Sequence, residues 1–544
     1  MRRNTRSRLE NVVVALAILV ILADAVGIWF LLRKRREQPP APTEPVTEAP
    51  TEAPTEPALS GPEFFLPEHL AFGEKLPVTT FQNGAGETVD LLEAYPGERL
   101  VLMYWGSWCP YCDEQLEQLE NLAELVAAED ARLILVNKTD AAKEETIQKG
   151  EQYLADKGWL QYDHVYDTDL NAYRAYGMKR IPTTIMVDGD GYVRGTVSSV
   201  LDGATFAAFL ERALYGNAKQ QLAFLENHMM NAAGGVYTAF RNSSGTSPKG
   251  HDVLSESMGL LMCCAVQLEN KNLFDRCWNY LTETMQRDGL FAWYAAEDGT
   301  QGTSNALLDD LRIARALNEA NEKWGGYDAA LTSLAEGILE KNTYQNRLCS
   351  FYDFRQKKTG STISLTYGDF ETLDWLAEIQ PAFVTLREDL LQTVQNGFIG
   401  ADFPLYYAAY DYKTKAYSTD SLNTAEALLT VYHLSEIGLA REETLNWLKN
   451  ALQNGTLAAR YQVDGTVEPG YQYDSTAVFA IAALIGQRTG DGELYRLARS
   501  AMERTYVSDT ESFFCGAFTQ GGDLQAFDQL LPLTVYAGSG DAKF

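Results

Sequence analysis

The stretch "SESMGLLMCCAVQL", Ser255 to Leu268, decides the fold of the larger part of this chain. Ser255 reads as a helix-capping serine and Glu256 as a first-turn acid. From Met258 onward almost every residue is apolar or small. A helix that is apolar on all sides is buried on all sides. The same character returns in "TAEALLTVYHLSEIG" (Thr424 to Gly438) and "STAVFAIAALIG" (Ser475 to Gly486). The helical segments between these carry charge on one face, the mark of a helix turned to solvent. From about Asn217 to the end, about twelve helical segments alternate in this way. Connections alternate too. Links leading outward are short, as in "ENKN", "GLAREE" and "TGDGE", whereas links leading into the apolar helices are long. Six helical hairpins closed into an (α/α)6 barrel are expected, with every long loop gathered at the end where the inner helices begin.

Polar groups stand at that end. Ser255 and Glu256 open one inner helix, and Asp309 and Asp310 in "TSNALLDDLRIARAL" open the next. Tyr367 and Asp369 follow in "LTYGDF", Asp420 in "YSTDSLN", and Tyr473 and Asp474 in "GYQYDSTAVF". The loops add aromatic residues: Trp293 in "FAWYAAEDG", and Tyr406, Tyr407, Tyr410 and Tyr412 in "LYYAAYDYK". Each acid on its own is what capping and the helix dipole ask for. Together, convergent carboxylates between aromatic walls fit glycoside cleavage. One carboxylic acid protonates the leaving oxygen, another carboxylate activates water, and aromatic faces stack on sugar rings.

A different pattern precedes this region. "RLVLMYWGSWCPYCDEQLEQLENLAELV" reads as a buried strand, a tight turn and a helix, with Cys109 at the helix N-terminus and Cys112 one turn in. A helix N-terminus stabilises a thiolate, and a second thiol one turn away is placed to attack a mixed disulfide. "ARLILVNK" supplies another strand, and "RIPTTIMVDGDGYVRG" reads as strand, turn, strand, with "DGDG" (Asp188 to Gly191) as a hairpin turn. The other five cysteines, Cys263, Cys264, Cys277, Cys349 and Cys515, lie in apolar sequence without a second CxxC. They read as small buried hydrophobes, and no structural zinc site is expected.

The chain has 544 residues, 46% of them hydrophobic, enough for two or more cores. Its net charge of −29 disfavours a nucleic-acid partner. Val12 to Leu32 is an apolar run of about 20 residues, long enough to span a bilayer, flanked on both sides by arginines and lysine. It reads as an uncleaved anchor. "QPPAPTEPVTEAPTEAPTEPA", Gln38 to Ala58, cannot form a core and reads as an extended spacer.

Two resemblances follow from these residues. "WCPYC" followed by "IPTT" resembles the membrane-anchored, extracytoplasmic thioredoxins of the cytochrome-maturation type, over about Pro67 to Leu214. It implies that Cys109 is the nucleophile, Cys112 the resolving thiol, and Pro182 a cis-proline shaping the substrate groove. The helical region resembles glycoside hydrolase family 8. "SESMGLL" is similar to that family's "SEGmgYG", "LLDDLRIARAL" to its "DADLdIAyaL", "SLTYGDF" to its "pSY", and "GYQYDSTAVF" to its "YDAiR". This resemblance implies that Glu256 is the proton donor and Asp474 the water-activating base. It also implies that Asp310 belongs to the central sugar subsite and that Trp293, Tyr367 and Tyr473 line the cleft. Ser257, Leu260, Leu308 and Ala477 depart from the family's pattern.

The expected organisation is an anchor (1–37), a linker (38–62), an α/β thioredoxin-like domain (63–215) and an all-α (α/α)6 domain (216–544). The expected function is that of a membrane-anchored, extracytoplasmic, inverting and endo-acting glycosidase on a β-linked glucan or related polysaccharide. A protein redox partner is expected for the CxxC, and no cofactor or metal. The alternatives are a thiol-disulfide oxidoreductase whose helical barrel only binds a glycan or a protein, and a scaffold that binds polysaccharide without cleaving it.

Overall fold

The computed structural model describes residues 70, 74–507, 512–519, 522 and 524–538. The Val12–Leu32 run and the Gln38–Ala58 spacer lie outside the described residues. Among those described, no helix is long and apolar enough to cross a membrane.

The first domain is built on a seven-stranded sheet: β1 (Thr80–Gln82), β2 (Thr88–Asp90), β3 (Arg99–Trp105), β4 (Ala131–Asn137), β5 (His164–Tyr166), β6 (Thr183–Val187) and β7 (Val193–Val197). Their spatial order is β2-β1-β5-β4-β3-β6-β7. Strands β3, β4 and β5 run parallel, β6 pairs antiparallel with β3, and β7 pairs antiparallel with β6 at the edge. Every residue from Leu100 to Trp105 is buried, as a central strand covered on both faces requires. The side chains alternate. Val101, Met103 and Trp105 enter one core, and Leu100, Leu102 and Tyr104 enter the other. Around the sheet lie α1 (Leu91–Ala94), α2 (Pro110–Leu116), α3 (Leu119–Ala128), α4 (Ile147–Lys157), α5 (Asn171–Ala175) and α6 (Gly203–Tyr215). Asp188 accepts from the N–H groups of Asp190 and Tyr192, so "DGDG" closes the β6–β7 hairpin.

The second domain contains twelve helices among the described residues. They are α7 (Ala218–His228), α8 (Ser255–Gln267), α9 (Lys271–Tyr280), α10 (Leu307–Trp324), α11 (Asp328–Lys341), α12 (Phe370–Ile379), α13 (Ala382–Asn396), α14 (Thr424–Glu436), α15 (Glu442–Gln453), α16 (Thr476–Thr489), α17 (Gly492–Glu503) and α18 (Ala526–Ala537). Six of them, α8, α10, α12, α14, α16 and α18, touch one another in sequence, and α18 closes the ring on α8. The others pack outside, α9 on α8, α11 on α10, α13 on α12, α17 on α16, α7 on α18 and α15 on α17. The apolar helices are the inner ones. Ala477 to Gly486 of α16 are all buried, and between Ser255 and Val266 of α8 only Glu256 is not. The short links join each inner helix to the outer helix that follows it. Gly490, in the left-handed conformation with φ +69°, ends α16 and starts such a turn. The long links all lead into inner helices, so their residues collect at one rim.

Two backbones approach closely at that rim. A Cβ on Gly259 of α8 would stand 3.0 Å from Cβ of Arg312 of α10. Glycine here lets the two inner helices come together, which sets up the contacts described next. The hairpin β6–β7 rests on α17, with the Arg496 guanidinium 5.0 Å from the centre of the Tyr192 ring.

Candidate active sites

Glu256 projects from the first turn of α8, with its side chain 30% exposed. It is the one opening in an otherwise buried helix wall. Helix α8 has no cap of its own. Its N-cap residue is Leu254, and Ser255 is the first helical residue, not the cap that its sequence position suggests. Ser255 N–H donates to the Trp293 carbonyl at 3.1 Å, and its hydroxyl donates to Asp309 at 2.6 Å. Trp293 thus anchors the start of the helix through its backbone, while its half-buried ring meets Tyr294 edge-on at 4.8 Å.

Arg312, one turn further along α10 than Asp309, reaches back to the same place. Its Nη1 lies 2.9 Å from Glu256 Oε1 and 3.8 Å from Asp309 Oδ1. Burial, and then the Glu256 carboxylate, push the Asp309 carboxyl up to about 7, against the pull of Arg312 and the Ser255 hydroxyl. Tyr367 ends a short turn that touches both α10 and α14. Burial, then the carboxylates of Asp309, Glu426 and Glu256, raise its phenol. Glu256, Asp309, Arg312, Tyr367 and Glu426 therefore form one electrostatic group, drawn from the starts of three inner helices and the turn before a fourth.

The remaining sequence-derived residues fall elsewhere. Asp310 is fully buried, its two oxygens taken by the Phe291 N–H at 3.1 Å and Asn305 Nδ2 at 2.6 Å. Burial raises its carboxyl well above the usual range. This corrects the expectation that Asp310 is open to a sugar. It braces the loop before α10, and its neighbour Asp309 faces the site instead, because consecutive helical residues point about 100° apart. Asp474 precedes α16, half exposed, and pairs with Arg504 at 3.2 Å. Tyr473 is 40% exposed and stands 6.1 Å from the Tyr471 ring, forming an open aromatic shelf.

The dithiol forms a second site. Cys109 is the N-cap of α2, and the Cys112 N–H donates to its sulfur at 3.3 Å. Pro110 occupies the first helical position, where its missing N–H costs nothing. The Cys109 sulfur lies 3.7 Å from the Ile181 carbonyl, and the Ile181–Pro182 bond is cis. Both cysteines are free thiols. Cys112 is wholly buried, and burial together with the Cys109 sulfur raises its thiol. Tyr111 between them is 65% exposed. Cys263, Cys264, Cys277 and Cys349 are buried, as their surroundings in sequence suggest, whereas Cys515 is only partly buried, which corrects that expectation for the fifth.

A redoxin family model matches residues 71–203, and a model for glycosyl hydrolases family 8 matches residues 224–351. The thiol-disulfide oxidoreductase ResA of Halalkalibacterium halodurans is 30% identical over 131 residues, covering 24% of this chain and 70% of that protein. The chain is a redoxin fused to a family 8 glycoside hydrolase. The Bacillus subtilis protein YdaJ is 28% identical over 322 residues, covering 57% of this chain and 84% of that one. A solved structure described as a novel alpha-amylase from Clostridium perfringens is similar at 26% identity with a TM-score of 0.55, over 59% of this chain and 97% of that one.

Two groups in the family 8 domain, Arg312 and Asp528, are not legible in the sequence, and a third is legible only in part. Asp309 reads in the sequence as one of the acids opening inner helices, with no role of its own. Arg312 was invisible, because its role depends on how closely α8 and α10 approach. Asp528, in the first turn of α18, accepts the Ala477 N–H at 3.0 Å and so caps α16 from the neighbouring helix. The pattern of acids opening inner helices was the signal that could have found it.

A metal is the remaining question. Asp369, His433 and Glu436 bring ligand atoms within 4.8 Å of one another. Arg315 already binds there, 2.6 Å from Asp369 and 2.7 Å from Glu436. A guanidinium at that position makes the group an ion-pair network, and the donor set does not fit a cation beside it.

Proposed function

We propose that the family 8 domain cleaves a β-linked glucan or related polysaccharide within the chain and with inversion at the anomeric carbon. Glu256 donates the proton to the glycosidic oxygen, and Asp474 takes a proton from the attacking water. The observation that carries this reading is Glu256 itself, the sole unburied residue between Ser255 and Val266, standing beside Asp309, Arg312 and Tyr367. A carboxyl at the mouth of an apolar ring, among other charged groups, is what general acid catalysis needs. Trp293, Tyr367 and Tyr473 supply aromatic faces for sugar rings. A second reading concerns the linkage only. The similarity to a protein described as an alpha-amylase favours an α-linked glucan.

In the same proposal the Val12–Leu32 segment anchors the chain in the cell membrane, with both folded domains outside the cytoplasm. The redoxin domain exchanges disulfides with a protein partner through Cys109, and Cys112 resolves the mixed disulfide.

The test is a panel of carboxymethylcellulose, mixed-linkage β-glucan, xylan, chitosan and starch, read by reducing ends and by NMR of the first anomer formed. Expected is cleavage of a β-linked polymer into the α-anomer, with Asp474→Asn slowed by about 100-fold or more. Product of retained configuration sinks the inverting mechanism, and starch as the one polymer cleaved selects the second reading.

A further inference from the structure

We propose that two β-hairpins at the rim of the helical ring form a cationic edge for the acidic groups of a polysaccharide, so that the polymer this domain takes carries anionic substituents. The inference rests on reading the family 8 domain as a polysaccharide hydrolase, and it names the class of polymer.

The two hairpins lie in the long links that lead into α12 and α14. In one, Tyr352–Asp353 pairs antiparallel with Lys358–Thr359, and in the other, Tyr410 and Asp411 pair antiparallel with Ala416–Tyr417. The loops they close share one sequence pattern, "DFRQKK" from Asp353 to Lys358 and "DYKTKA" from Asp411 to Ala416. The structure carries out that pattern in the same way twice. The aspartate turns back into its own loop. Asp353 Oδ1 accepts the N–H groups of Arg355 at 2.8 Å and Gln356 at 2.7 Å, and Asp411 Oδ1 accepts those of Lys413 at 2.7 Å and Thr414 at 3.2 Å. The aromatic residue that follows is buried, with an arginine guanidinium over its ring: Arg287 at 5.0 Å from Phe354, and Arg347 at 5.3 Å from Tyr412. The last loop residue is a lysine in the left-handed conformation, Lys357 with φ +50° and Lys415 with φ +56°.

A residue with a Cβ is strained at such a corner. Turns in the links into α8, α10 and α16 place glycine there instead: Gly234 between Met230 and Val236, Gly299 between Ala295 and Gln301, and Gly465 between Tyr461 and Val467. The two lysines are held against the backbone preference that the other three links obey, and strain kept in a loop points to a use for the side chain.

What these side chains share is charge. Arg355, Lys357, Lys358, Lys413 and Lys415 are all exposed, and among the described residues none of them pairs with a carboxylate. The acids close by are engaged: Asp353 and Asp411 in their own turns, and Asp389 with Arg347 at 3.2 Å. The two loops adjoin. The Tyr412 N–H donates to the Ser361 carbonyl at 2.9 Å, and its hydroxyl donates to the Leu348 carbonyl at 3.1 Å. The chain from Lys358 to Ser361 spans about 10 Å at most. Five cations therefore stand along one edge of a chain whose net charge is −29. A local positive potential on an acidic molecule draws a polyanion to that place and away from the rest of the surface. The edge belongs to the same rim as Glu256, and the half-buried Tyr410 and Tyr417 rings, 4.8 Å apart, stand beside the second loop as apolar faces for sugar rings.

The test is equilibrium binding of the full chain carrying Glu256→Gln, in neutral detergent, to immobilised carboxymethylcellulose and hydroxyethylcellulose, which share a β-glucan backbone but are anionic and neutral. At about 0.01 M salt the anionic polymer should bind about tenfold more tightly, and at about 1 M salt, where charges are screened beyond about 3 Å, the two should bind alike. Lys357→Gly with Lys415→Gly removes two charges and relieves both left-handed corners, so its Tm should equal or exceed that of the parent. Its affinity for carboxymethylcellulose at low salt should fall about fivefold or more, with no change for hydroxyethylcellulose. Lys357→Arg with Lys415→Arg keeps the charge and should bind both polymers as the parent does. Equal binding of the two polymers by the parent at low salt overturns the inference, and so does a double glycine variant that holds carboxymethylcellulose as tightly as the parent. Hydrolysis at the wild-type rate by Glu256→Gln sinks the proton-donor assignment without changing these affinities, so the two failures are distinct.

Discussion

Two residues carry the proposed chemistry of this molecule, and each is specified by what stands next to it. Glu256 is met by Arg312 at its carboxylate, and the start of its helix is held by the Trp293 carbonyl and by Asp309, both through Ser255. Cys109 is fixed by its place at the N-cap of α2 and by the Ile181 carbonyl across the groove. The dithiol assignment makes a direct prediction. Cys109 is slightly exposed and Cys112 is not exposed at all, so Cys109 meets an incoming disulfide first. Cys112→Ser should accumulate a stable mixed disulfide with a disulfide-bearing protein, seen on a non-reducing gel, and Cys109→Ser should form none. Adducts on Cys109→Ser alone reverse the two roles.

At the scale of the element, α12, α14 and α16 carry their own side-chain caps, Asp369, Asn423 and Ser475, whereas α8 has none, and both α8 and α16 are also held at their starts by an acid from a neighbouring helix. Asp309 serves α8 and Asp528 serves α16, each from a neighbouring helix in the ring. Burial raises the Asp528 carboxyl, so its bond to the Ala477 N–H is made in a largely dry place. Removing it in Asp528→Ala should cost about 1 kcal/mol, the usual worth of a cap, read by denaturant unfolding. A variant as stable as the wild type dismisses the cap. These borrowed caps mark the limit of what the sequence makes legible. The buried character of α8 and α16 and the alternation of short and long links are local or periodic, and they read correctly; the CxxC facing the Ile181–Pro182 bond is a contact across 72 residues and came from the resemblance to thioredoxins. The choice between Asp309 and Asp310 is not local. It depends on the rotation of α10 about its axis, which the packing of Gly259 against Arg312 decides. The periodicity of "LLDDLRIARAL" leaves either acid free to face the ring interior.

At the scale of the whole molecule, the helical ring is held by a buried charge network as well as by its apolar core. Arg315 binds Asp369, Glu371 and Glu436, the first and last of which have fully buried side chains. Burial opposes ionisation there, but Arg315 and His433 together hold the Asp369 and Glu436 carboxyls below the usual range. Arg315→Met leaves those charges without their main partner and should cost about 3–5 kcal/mol at neutral pH. Groups with depressed values stabilise above their unfolded range and lose that contribution as pH falls, so the gap between variant and wild type should narrow in acid. An equal gap at neutral and acid pH contradicts the network. The redoxin and family 8 domains form one compact unit, yet their reacting groups are separate, so loss of the dithiol should leave polysaccharide cleavage intact. The most direct test of the whole account is the rate of reducing-end release by the full chain and by Glu256→Gln, both shown to be folded by circular dichroism. A proton donor predicts a loss of about 100- to 10,000-fold in Glu256→Gln. Hydrolysis at the wild-type rate in that variant would contradict the assignment of Glu256 and with it the proposed mechanism.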